Sequence, residues 1–474
     1  MSSLPKEHPK GSIKEMAVIA LPMVVSCGCD TVMIFTDRLF LSKLGPEQMN
    51  AAMGGGLTVF MMMSFFIGII GYATALVAQY LGAGRREKCA VVLAQALLLA
   101  LLAYVPILFC RPLAHALFSF MGVSSAQMTP QKLYFDILLL GTIISLERVC
   151  LASFFSGIGR TGIVMTASCT AMFINLVLNY ILIYGKCGFP ALGIAGSAYG
   201  TILGGLSGLL VLAGGLFTKK NIVEFGLKTA FRFDRDVMSR LLRFGTPTGL
   251  EMFLNIMAFN AMVLIFHSRG LVTATAATIV LNWDLVSFVP LIGIEVGVIS
   301  LVGRYMGAGD PDNAHRATMA GFKIGLMYSA VILVLFFCFP AYLVKIFQPA
   351  ASGEVFAAAA PLAIDMVRLA SIYVLVEAMF VVFIGALRGA GDTFWAMAIS
   401  VSLHWIMVGI LFVLLRVMGV SPLVGWSAVV FLFFVFSFIA FFRYHSGKWR
   451  KIKVVDCPST VISPDGLNEP PALS

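Results

Sequence analysis

Long apolar segments follow one another along this 474-residue chain and constrain its fold more than any other feature. About 20 apolar residues with few charges cross a bilayer as one helix. Hydrophobic residues make up 59% of the chain and charged residues only 12%, against about 45–50% and about 25% in soluble domains. This leaves too little polar surface for a soluble enzyme, so we predict an all-α membrane protein with twelve transmembrane helices. The predicted spans lie near residues 15–43, 50–80, 90–120, 131–157, 162–185, 192–217, 238–267, 272–304, 315–347, 361–387, 394–417 and 422–443.

The basic residues are distributed unevenly over the loops of this twelve-span topology. Of the 33 Lys and Arg residues, 23 fall on the side that carries both termini and eight on the other side. Positively charged loops remain in the cytoplasm, so both termini are predicted to be cytoplasmic, in a plasma (inner) membrane. The formal net charge of +10 follows from this asymmetry and not from a basic, aromatic-interleaved patch, so no nucleic-acid partner is expected.

Charge and hydropathy also predict the domain organisation. We expect an N-terminal six-helix lobe over residues 1–217, a cytoplasmic linker over 218–237, a C-terminal six-helix lobe over 238–443 and a cytoplasmic, largely disordered tail over 444–474. The first apolar run is too long and too often interrupted by polar residues for a cleaved signal peptide, so it is expected to remain as the first span.

The two halves of the chain contain similar short motifs in the same order. The segment VAQYLGAG at 77–84 recurs as VGRYMGAG at 302–309, an offset of 225, and Pro22 and Pro247 differ by the same offset. Residues 157–161 match 389–393 and residues 190–193 match 422–425, now at an offset of 232. Six helices is an even number, so both copies enter the membrane in the same direction. This predicts two six-helix bundles related by a parallel internal repeat around a central cleft, the arrangement that transporters use for alternating access.

Three of these regions resemble the multidrug and toxic compound extrusion (MATE) family of transporters, in particular its NorM-like bacterial branch. They are GAGR at 82–85 after the second span, LRGAGDT at 387–393 after the tenth, and NLVLNYILIYGKCGFP at 175–190 through the fifth. The resemblance covers the chain from about Ile13 to Phe442. It implies a secondary active antiporter that exports organic, often cationic, drugs or toxic metabolites in exchange for Na⁺ or H⁺. Flippases for lipid-linked oligosaccharides share this wider architecture and remain the alternative.

Carboxylates within the predicted spans outnumber the basic residues there. A carboxylate at the bilayer centre costs roughly 2.5–3.5 kcal/mol on insertion scales, so it needs a partner, a proton, an ion or water. The acids are Asp30, Asp37, Asp136, Glu147, Glu251, Asp284, Glu295, Asp365 and Glu377, whereas only Arg148 and Arg368 are placed within spans. This excess favours a path for cations over structural pairing alone.

In the first half, we predict a cation or substrate site at Asp37, Asp30, Asn175 and Asn179. Asp37 lies fifteen residues after Pro22, where MATE-like first helices carry an Asp, and Asp30 lies two helical turns earlier on about the same face. Asn175 and Asn179 are one turn apart and could supply amide oxygens, and family members carry Asn or Asp there. Interfacial pairing of Asp37 with Arg38 or Lys43, and interhelical hydrogen bonding by the asparagines, are the structural alternatives.

In the second half, the candidates are Glu377, Glu251, Asn255, Asp284 and Glu295. Glu377 lies ten residues before Leu387, where the NorM-like branch has an Asp on its tenth helix. Eight residues after Pro247, where that branch commonly has a Glu, this chain has Asn255, and Glu251 stands one turn earlier on the same face. Asp284 and Glu295 on the eighth span could line the same lobe.

The remaining intramembrane acids are expected to have structural roles. Asp365 is predicted to pair with Arg368, Asp136 to lie at an interface, and Glu147 to belong to a network with Arg148.

These residues predict a transport function and no enzyme. A drug-like cation and the coupling ion would compete for the carboxylates, and Na⁺ or H⁺ entering from outside would release the substrate outward. The six histidines are scattered without metal-ligand spacing, and the nine cysteines form no Cys-x-x-Cys pair, so we expect no cofactor and no metal centre. A flippase would need basic residues in the cleft to meet phosphate. The expected partners are organic cations and the lipid bilayer, and the protein is expected to be a monomer.

Overall fold

The structure is a computed structural model that describes residues 9–120, 125–348 and 354–456. Every regular element in these ranges is a helix. The α-helices are α1 (Ile13–Ser42), α2 (Pro46–Gly71), α3 (Ala73–Gly82), α4 (Arg86–Phe109), α5 (Arg111–Phe120), α6 (Ser125–Gly157), α7 (Thr161–Tyr184), α8 (Ile194–Leu216), α9 (Lys219–Glu224), α10 (Leu227–Ala230), α11 (Arg235–His267), α12 (Leu271–Gly307), α13 (Pro311–Cys338), α14 (Pro340–Lys345), α15 (Glu354–Ala390), α16 (Thr393–Leu411) and α17 (Pro422–His445). In the described ranges, twelve helical spans are long and apolar enough to cross a membrane, which confirms the predicted class and number of spans.

Several predicted spans have different boundaries in the structure. Segment 90–120 divides into α4 and the short α5, and segment 315–347 divides where Pro340 begins α14. Proline lacks the N–H that a helix interior requires but fits its first turn. Conversely, α15 begins at Glu354 and not near residue 361, where the predicted tenth span begins. Pro361 therefore lies inside this helix and does not start it. The eleventh span ends in a π-helical segment, Phe412–Val417.

Buried apolar side chains form one large cluster in each half of the chain. One cluster joins α2 to α8 and includes the first turns of α11 through Val237 and Leu241. The other joins α11 to α17 and includes Met16 and Ile19 of α1. We call α1–α8 the N-terminal lobe and α11–α17 the C-terminal lobe. Each lobe therefore packs around its own core, and its first helix also contacts the other lobe.

The two lobes approach each other most closely where α3 and α12 end. A Cβ atom on Gly82 would lie 1.9 Å from the carbonyl oxygen of Arg304, and one on Gly307 would lie 1.9 Å from that of Gln79. Gln79 Nε2 also donates a 2.8 Å hydrogen bond to the carbonyl oxygen of Gly389. An even number of spans leaves both chain ends on one side of the bundle, which we call the termini face, and we call the opposite side the far face. The lobes are closed against each other at the termini face.

The chain segments outside the spans also cross this face. The backbone N–H of Gly11, just before α1, donates to Tyr305 Oη of α12 at 3.0 Å. After α17, Trp449 is buried in the C-terminal cluster, and Val454 and Val455 are buried in the N-terminal one. The predicted disorder is thus wrong for residues 444–456, because these apolar side chains anchor the segment. Residues 457–474 lie outside the described ranges.

Candidate ion and substrate site

Asp37 is the centre of a polar cluster inside the N-terminal lobe. Its side chain is 8% exposed. One carboxylate oxygen accepts a hydrogen bond from Asn179 Nδ2, and the other accepts one from Thr201 Oγ1 at 3.0 Å. Asn175 Nδ2 donates to Thr201 Oγ1 at 3.4 Å, while Asn179 Oδ1 is buried without a hydrogen-bond partner among the described residues, and Ser197 is buried nearby. Carboxylate, amide and hydroxyl oxygens are the ligands that hard cations prefer, and burial also favours protonation of a carboxylate.

Glycines in α8 allow this cluster to form. A Cβ atom on Gly200 would lie 2.1 Å from Asn179 Oδ1, and one on Gly204 would lie 2.8 Å from Asn175 Cβ. Asp37, Asn175 and Asn179 were predicted from the sequence as site residues, whereas Thr201 and Ser197 were not. The available signal was a glycine at every fourth position, 196, 200, 204 and 208, a spacing that indicates close helix packing in membranes.

Asp30 lies apart from that cluster and has a basic partner. Arg148 Nη2 of α6 donates to Asp30 Oδ1 at 2.8 Å. The pair is only partly buried, since the side chain of Arg148 is 21% exposed and that of Asp30 is 41% exposed. Asp30 therefore has a structural partner, unlike Asp37, although both lie on α1.

Glu251 and Glu295 share one arginine in the C-terminal lobe. Arg388 Nη2 lies 2.7 Å from Glu251 Oε1, and Arg388 Nη1 forms a close hydrogen bond with Glu295 Oε1. Glu251 is 1% exposed, so this carboxylate is sealed from solvent. Gly385 permits the approach of α12 to α15, since a Cβ atom there would lie 2.7 Å from Glu295 Cγ. The cluster combines two carboxylates with one guanidinium.

The position of Arg388 differs from the one expected from the sequence. Arg388 was assigned to a loop, but it lies inside α15, two residues before the helix ends. Asp30, Glu251 and Glu295 therefore each have a basic partner, Arg148 for Asp30 and Arg388 for the two glutamates. No sequence pattern indicates this pairing, because Arg388 is far from Glu251 and Glu295 along the chain.

Asp284 and Glu377 form a second acidic pair in the same lobe. They lie on α12 and α15, close enough for the charge on Asp284 to act on Glu377. Glu377 is 3% exposed. Asp284 Oδ1 and Glu377 Oε2 are both buried, and neither has a hydrogen-bond partner within residues 9–120, 125–348 and 354–456. Two neighbouring carboxylates that lack a resident cation can share a proton or bind a monovalent cation.

The remaining candidates take part in local contacts. Asn255 Nδ2 donates to Ser400 Oγ of α16 at 2.8 Å, one turn from Glu251. Asp136 of α6 is paired with Arg111 of α5, whose Nη2 lies 2.7 Å from Asp136 Oδ2. Asp365 lies 3.9 Å from Arg368, so the predicted pair is present, although it is loose and half-exposed.

At the termini face, outside the spans, a salt bridge joins the start of α11 to the N-terminal lobe. Lys88 Nζ lies 2.5 Å from Asp234 Oδ2, and Asp234 also caps α11 by accepting from the N–H groups of Asp236 and Val237. Partial burial acts to raise the pKa of Asp234, but the hydrogen bond from Lys88 and the backbone donors outweigh it and hold that pKa below its usual range.

A sequence profile of the MatE family matches residues 22–181 and 247–415, which together make up more than half of the chain. The chain belongs to the MatE family. The resemblance to MATE transporters is thereby confirmed. The two matched segments begin at Pro22 and Pro247, the proline pair of the predicted repeat, and so agree with a duplicated MatE unit.

Bacterial MatE relatives match almost the entire chain. The chain is 26% identical to "Probable multidrug resistance protein NorM" of Thermotoga maritima, covering 95% of this chain and 96% of that protein. It is also 26% identical to "Multidrug resistance protein NorM" of Vibrio cholerae, over 81% and 83%. "Multidrug resistance protein PmpM" of Pseudomonas aeruginosa is 26% identical over 84% and 82%.

Solved structures show the same MatE fold. "Crystal structure of MATE in complex with MaL6" superposes with a TM-score of 0.84 at 21% identity and covers 92% of this chain and 96% of that chain. A Pyrococcus furiosus protein described as a MOP superfamily transporter with reverse polarity of its binding pocket also reaches a TM-score of 0.84, at 20% identity, over 93% and 98%. At these identities, the likeness concerns the fold alone.

Proposed function

We propose that this protein is a secondary active antiporter that exports organic, often cationic, compounds in exchange for Na⁺ or H⁺ by alternating access. Family membership and relatives named as multidrug resistance proteins support export of varied small molecules. The proposal includes no catalytic step and no cofactor other than the coupling ion.

The buried carboxylates that form no salt bridge within the described residues are the observation that carries this proposal. Asp284 and Glu377 each have a buried oxygen without a hydrogen-bond partner in that part of the chain, and Asp37 accepts hydrogen bonds from neutral amide and hydroxyl groups. An anion in the membrane without a fixed countercharge is expensive, and a mobile cation or proton removes that cost. Ion and substrate charges can therefore alternate at these groups.

The exchange follows from competition for the same negative charge. A cationic substrate binds while the carboxylates are ionised, and a proton or Na⁺ arriving from the far face then neutralises them. Neutralisation weakens the attraction for the substrate, which leaves toward that face. Movement of the two lobes at the α3–α12 crossing would then expose the site to the termini face.

The flippase alternative finds less support in the distribution of basic groups. A lipid-linked oligosaccharide carries phosphate and would need free arginines or lysines in its path. Arg148 is paired with Asp30, and Arg388 is paired with Glu251 and Glu295. The two unpaired acidic centres suit a cation better.

The excess of basic residues in the loops on the side of the termini supports a cytoplasmic location for both termini, in a plasma (inner) membrane, so the termini face is cytoplasmic in this proposal. The two lobes, α1–α8 and α11–α17, would move as the units of alternating access, joined by the predicted linker 218–237, whose last three residues belong to α11. Each lobe contains its own core and its own acidic centre, so we propose that a monomer is sufficient for transport.

Transport in proteoliposomes tests the proposal. The purified protein would be reconstituted with a fluorescent organic cation such as ethidium, and its movement followed under an imposed Na⁺ or pH gradient. Asp37→Asn and Glu377→Gln should each slow gradient-driven transport at least about tenfold, the effect of roughly 1.4 kcal/mol. Comparing the two gradients identifies the coupling ion.

Glu354→Gln is the matched control, because it makes the same change on the same helix at an exposed position. It should transport at the wild-type rate. Wild-type transport by both Asp37→Asn and Glu377→Gln would contradict the proposed site. Gradient-independent movement of a fluorescent lipid-linked sugar, with no movement of the cation, would favour the flippase.

A further inference from the structure

The charged residues of α12 and α15 form two levels inside the C-terminal lobe. Asp284 and Glu295 lie eleven residues apart on α12, and Glu377 and Arg388 lie eleven residues apart on α15. Eleven residues make about three turns, so each pair occupies nearly one face of its helix, roughly 16 Å apart along the axis. The two helices run in the same direction and pack together. Asp284 faces Glu377 at one level, and Glu295 contacts Arg388 at the other.

The two levels have different charge. At the level of Asp284 and Glu377, two carboxylates lie together, and neither forms a salt bridge within the described part of the chain. The other level contains Glu295 and Glu251 around the guanidinium of Arg388, so it has two negative charges and one permanent positive charge. At this second level the guanidinium already occupies the position to which the carboxylates would attract a mobile cation.

The level with Arg388 lies toward the termini face, where the lobes are closed. Arg388 is two residues from the end of α15, and the adjacent Gly389 accepts the hydrogen bond from Gln79 of the N-terminal lobe. Gly389 also touches α12 directly, since a Cβ atom there would lie 2.9 Å from the carbonyl oxygen of Ile299. The guanidinium thus stands between the acidic pair and the closed side of the protein.

We propose that Arg388 is a fixed countercation that seals the path from Asp284 and Glu377 to the termini face. A guanidinium held between two carboxylates offsets part of their attraction for a mobile cation, so a coupling ion that reaches the acidic pair is not drawn further toward the termini face. This inference rests on the proposed function, since it assumes that a coupling ion reaches the acidic pair. It assigns Glu251 and Glu295 to holding Arg388 in place and not to binding the transported cation.

The surrounding charges are consistent with this role. Across the lobe interface, Asp30 of α1 is paired with Arg148 of α6 at 2.8 Å. Asp30 and Arg148 neutralise each other, so Arg388 is the fixed cation left to oppose the charge of Glu251 and Glu295 at this level.

A leak assay without exported substrate tests the seal. Proteoliposomes would contain a pH-sensitive or Na⁺-sensitive dye, and H⁺ or Na⁺ entry would be followed after a gradient is imposed. Arg388→Gln should raise substrate-free entry more than about tenfold. Removing one unit charge about 10 Å from a passing ion, at an effective dielectric constant of about 20, changes the rate of passage by that order. Arg388→Lys, which retains the charge, should stay within about twofold of wild type.

Two further variants separate charge from folding. Arg443→Gln removes another buried arginine of this lobe, the partner of Asp392 at 2.7 Å, and should not leak. Arg388→Gln combined with Glu295→Gln restores the original net charge of the cluster and should return the leak to within about twofold of wild type. A leak from Arg388→Gln no larger than that of Arg443→Gln would overturn the proposal, as would a double variant that leaks as much as the single one.

Glu295→Gln alone keeps the proposal testable if Arg388→Gln does not fold. It removes one negative charge and leaves Arg388 bound to Glu251, so substrate-free entry should be no higher than in wild type and substrate-driven exchange should persist. Loss of exchange as complete as in Glu377→Gln would show that Glu295 binds the transported cation and would refute the seal. Absence of gradient-driven transport by the wild-type protein would contradict the proposed function itself.

Discussion

Alanine substitution of Gly82 or Gly307 tests whether the lobes meet backbone to backbone at the termini face. Neither glycine requires a positive φ, so the backbone itself would accept alanine. In both cases the obstacle is a carbonyl oxygen of the other lobe, 1.9 Å from the new Cβ atom. Ordinary carbon contacts lie near 3.5 Å, so α3 and α12 would have to separate by about 1.5 Å.

The free energy that the closed arrangement loses through this separation of α3 and α12 can be estimated. Overpacking of a tight interior costs roughly 1–3 kcal/mol, whereas the gain of about 0.5–1 kcal/mol from replacing glycine by alanine in a helix is common to the closed and open arrangements. The closed arrangement should therefore lose about 1–3 kcal/mol, which lowers its population relative to open states by about five- to 150-fold. Hydrogen–deuterium exchange should therefore rise at residues 79–84 and 300–309, and gradient-driven export should fall.

Gly409→Ala is the matched control. Gly409 lies in α16, and a Cβ atom there would meet nothing within 4 Å. This variant should exchange, unfold and transport like the wild type, or be slightly more stable. If Gly82→Ala and Gly307→Ala both show the exchange pattern and transport rate of Gly409→Ala, the close crossing of α3 and α12 is refuted.

Three further predictions concern the ion site, a salt bridge and the C-terminal segment. Thr201→Val removes a hydroxyl donor worth about 1 kcal/mol, so the Na⁺ or H⁺ concentration for half-maximal exchange should change about fivefold; no change would mean that Thr201 does not support the ion site. Asp234→Asn should lower the free energy of unfolding by about 1 kcal/mol at neutral pH, as measured by thermal unfolding. The reason is that a carboxyl group whose pKa is lowered in the folded state stabilises the fold at every pH above its ordinary pKa. That difference from wild type should narrow as the pH falls below about 4, and a difference that stays constant would contradict the role of its pairing with Lys88. Val454→Asp places a carboxylate in the N-terminal cluster and should lower stability by at least about 2 kcal/mol, while the exposed Lys453→Asp should change it by less than about 0.5 kcal/mol; equal effects would show that the segment is not anchored.

Part of the candidate site could be predicted from the sequence because it depends on local spacing. Asn175 and Asn179 had to share a helix face, and α7 does place them together beside Asp37. Thr201 of α8 joins the same cluster only because Gly200 and Gly204 let α8 approach α7. That approach depends on packing between helices, which residue spacing within one helix does not determine.

The sequence by itself determined the class of this protein, because the bilayer sets the length and polarity of every span. Twelve apolar segments, both termini on one side and the duplicated motifs around Pro22 and Pro247 follow from the order of residues alone. Tertiary structure alone decided which intramembrane carboxylates have a fixed countercharge. Arg388 reaches Glu251 and Glu295 but not Glu377 of its own helix, because side-chain reach is a few ångströms and helix packing decides which distant residues come within it.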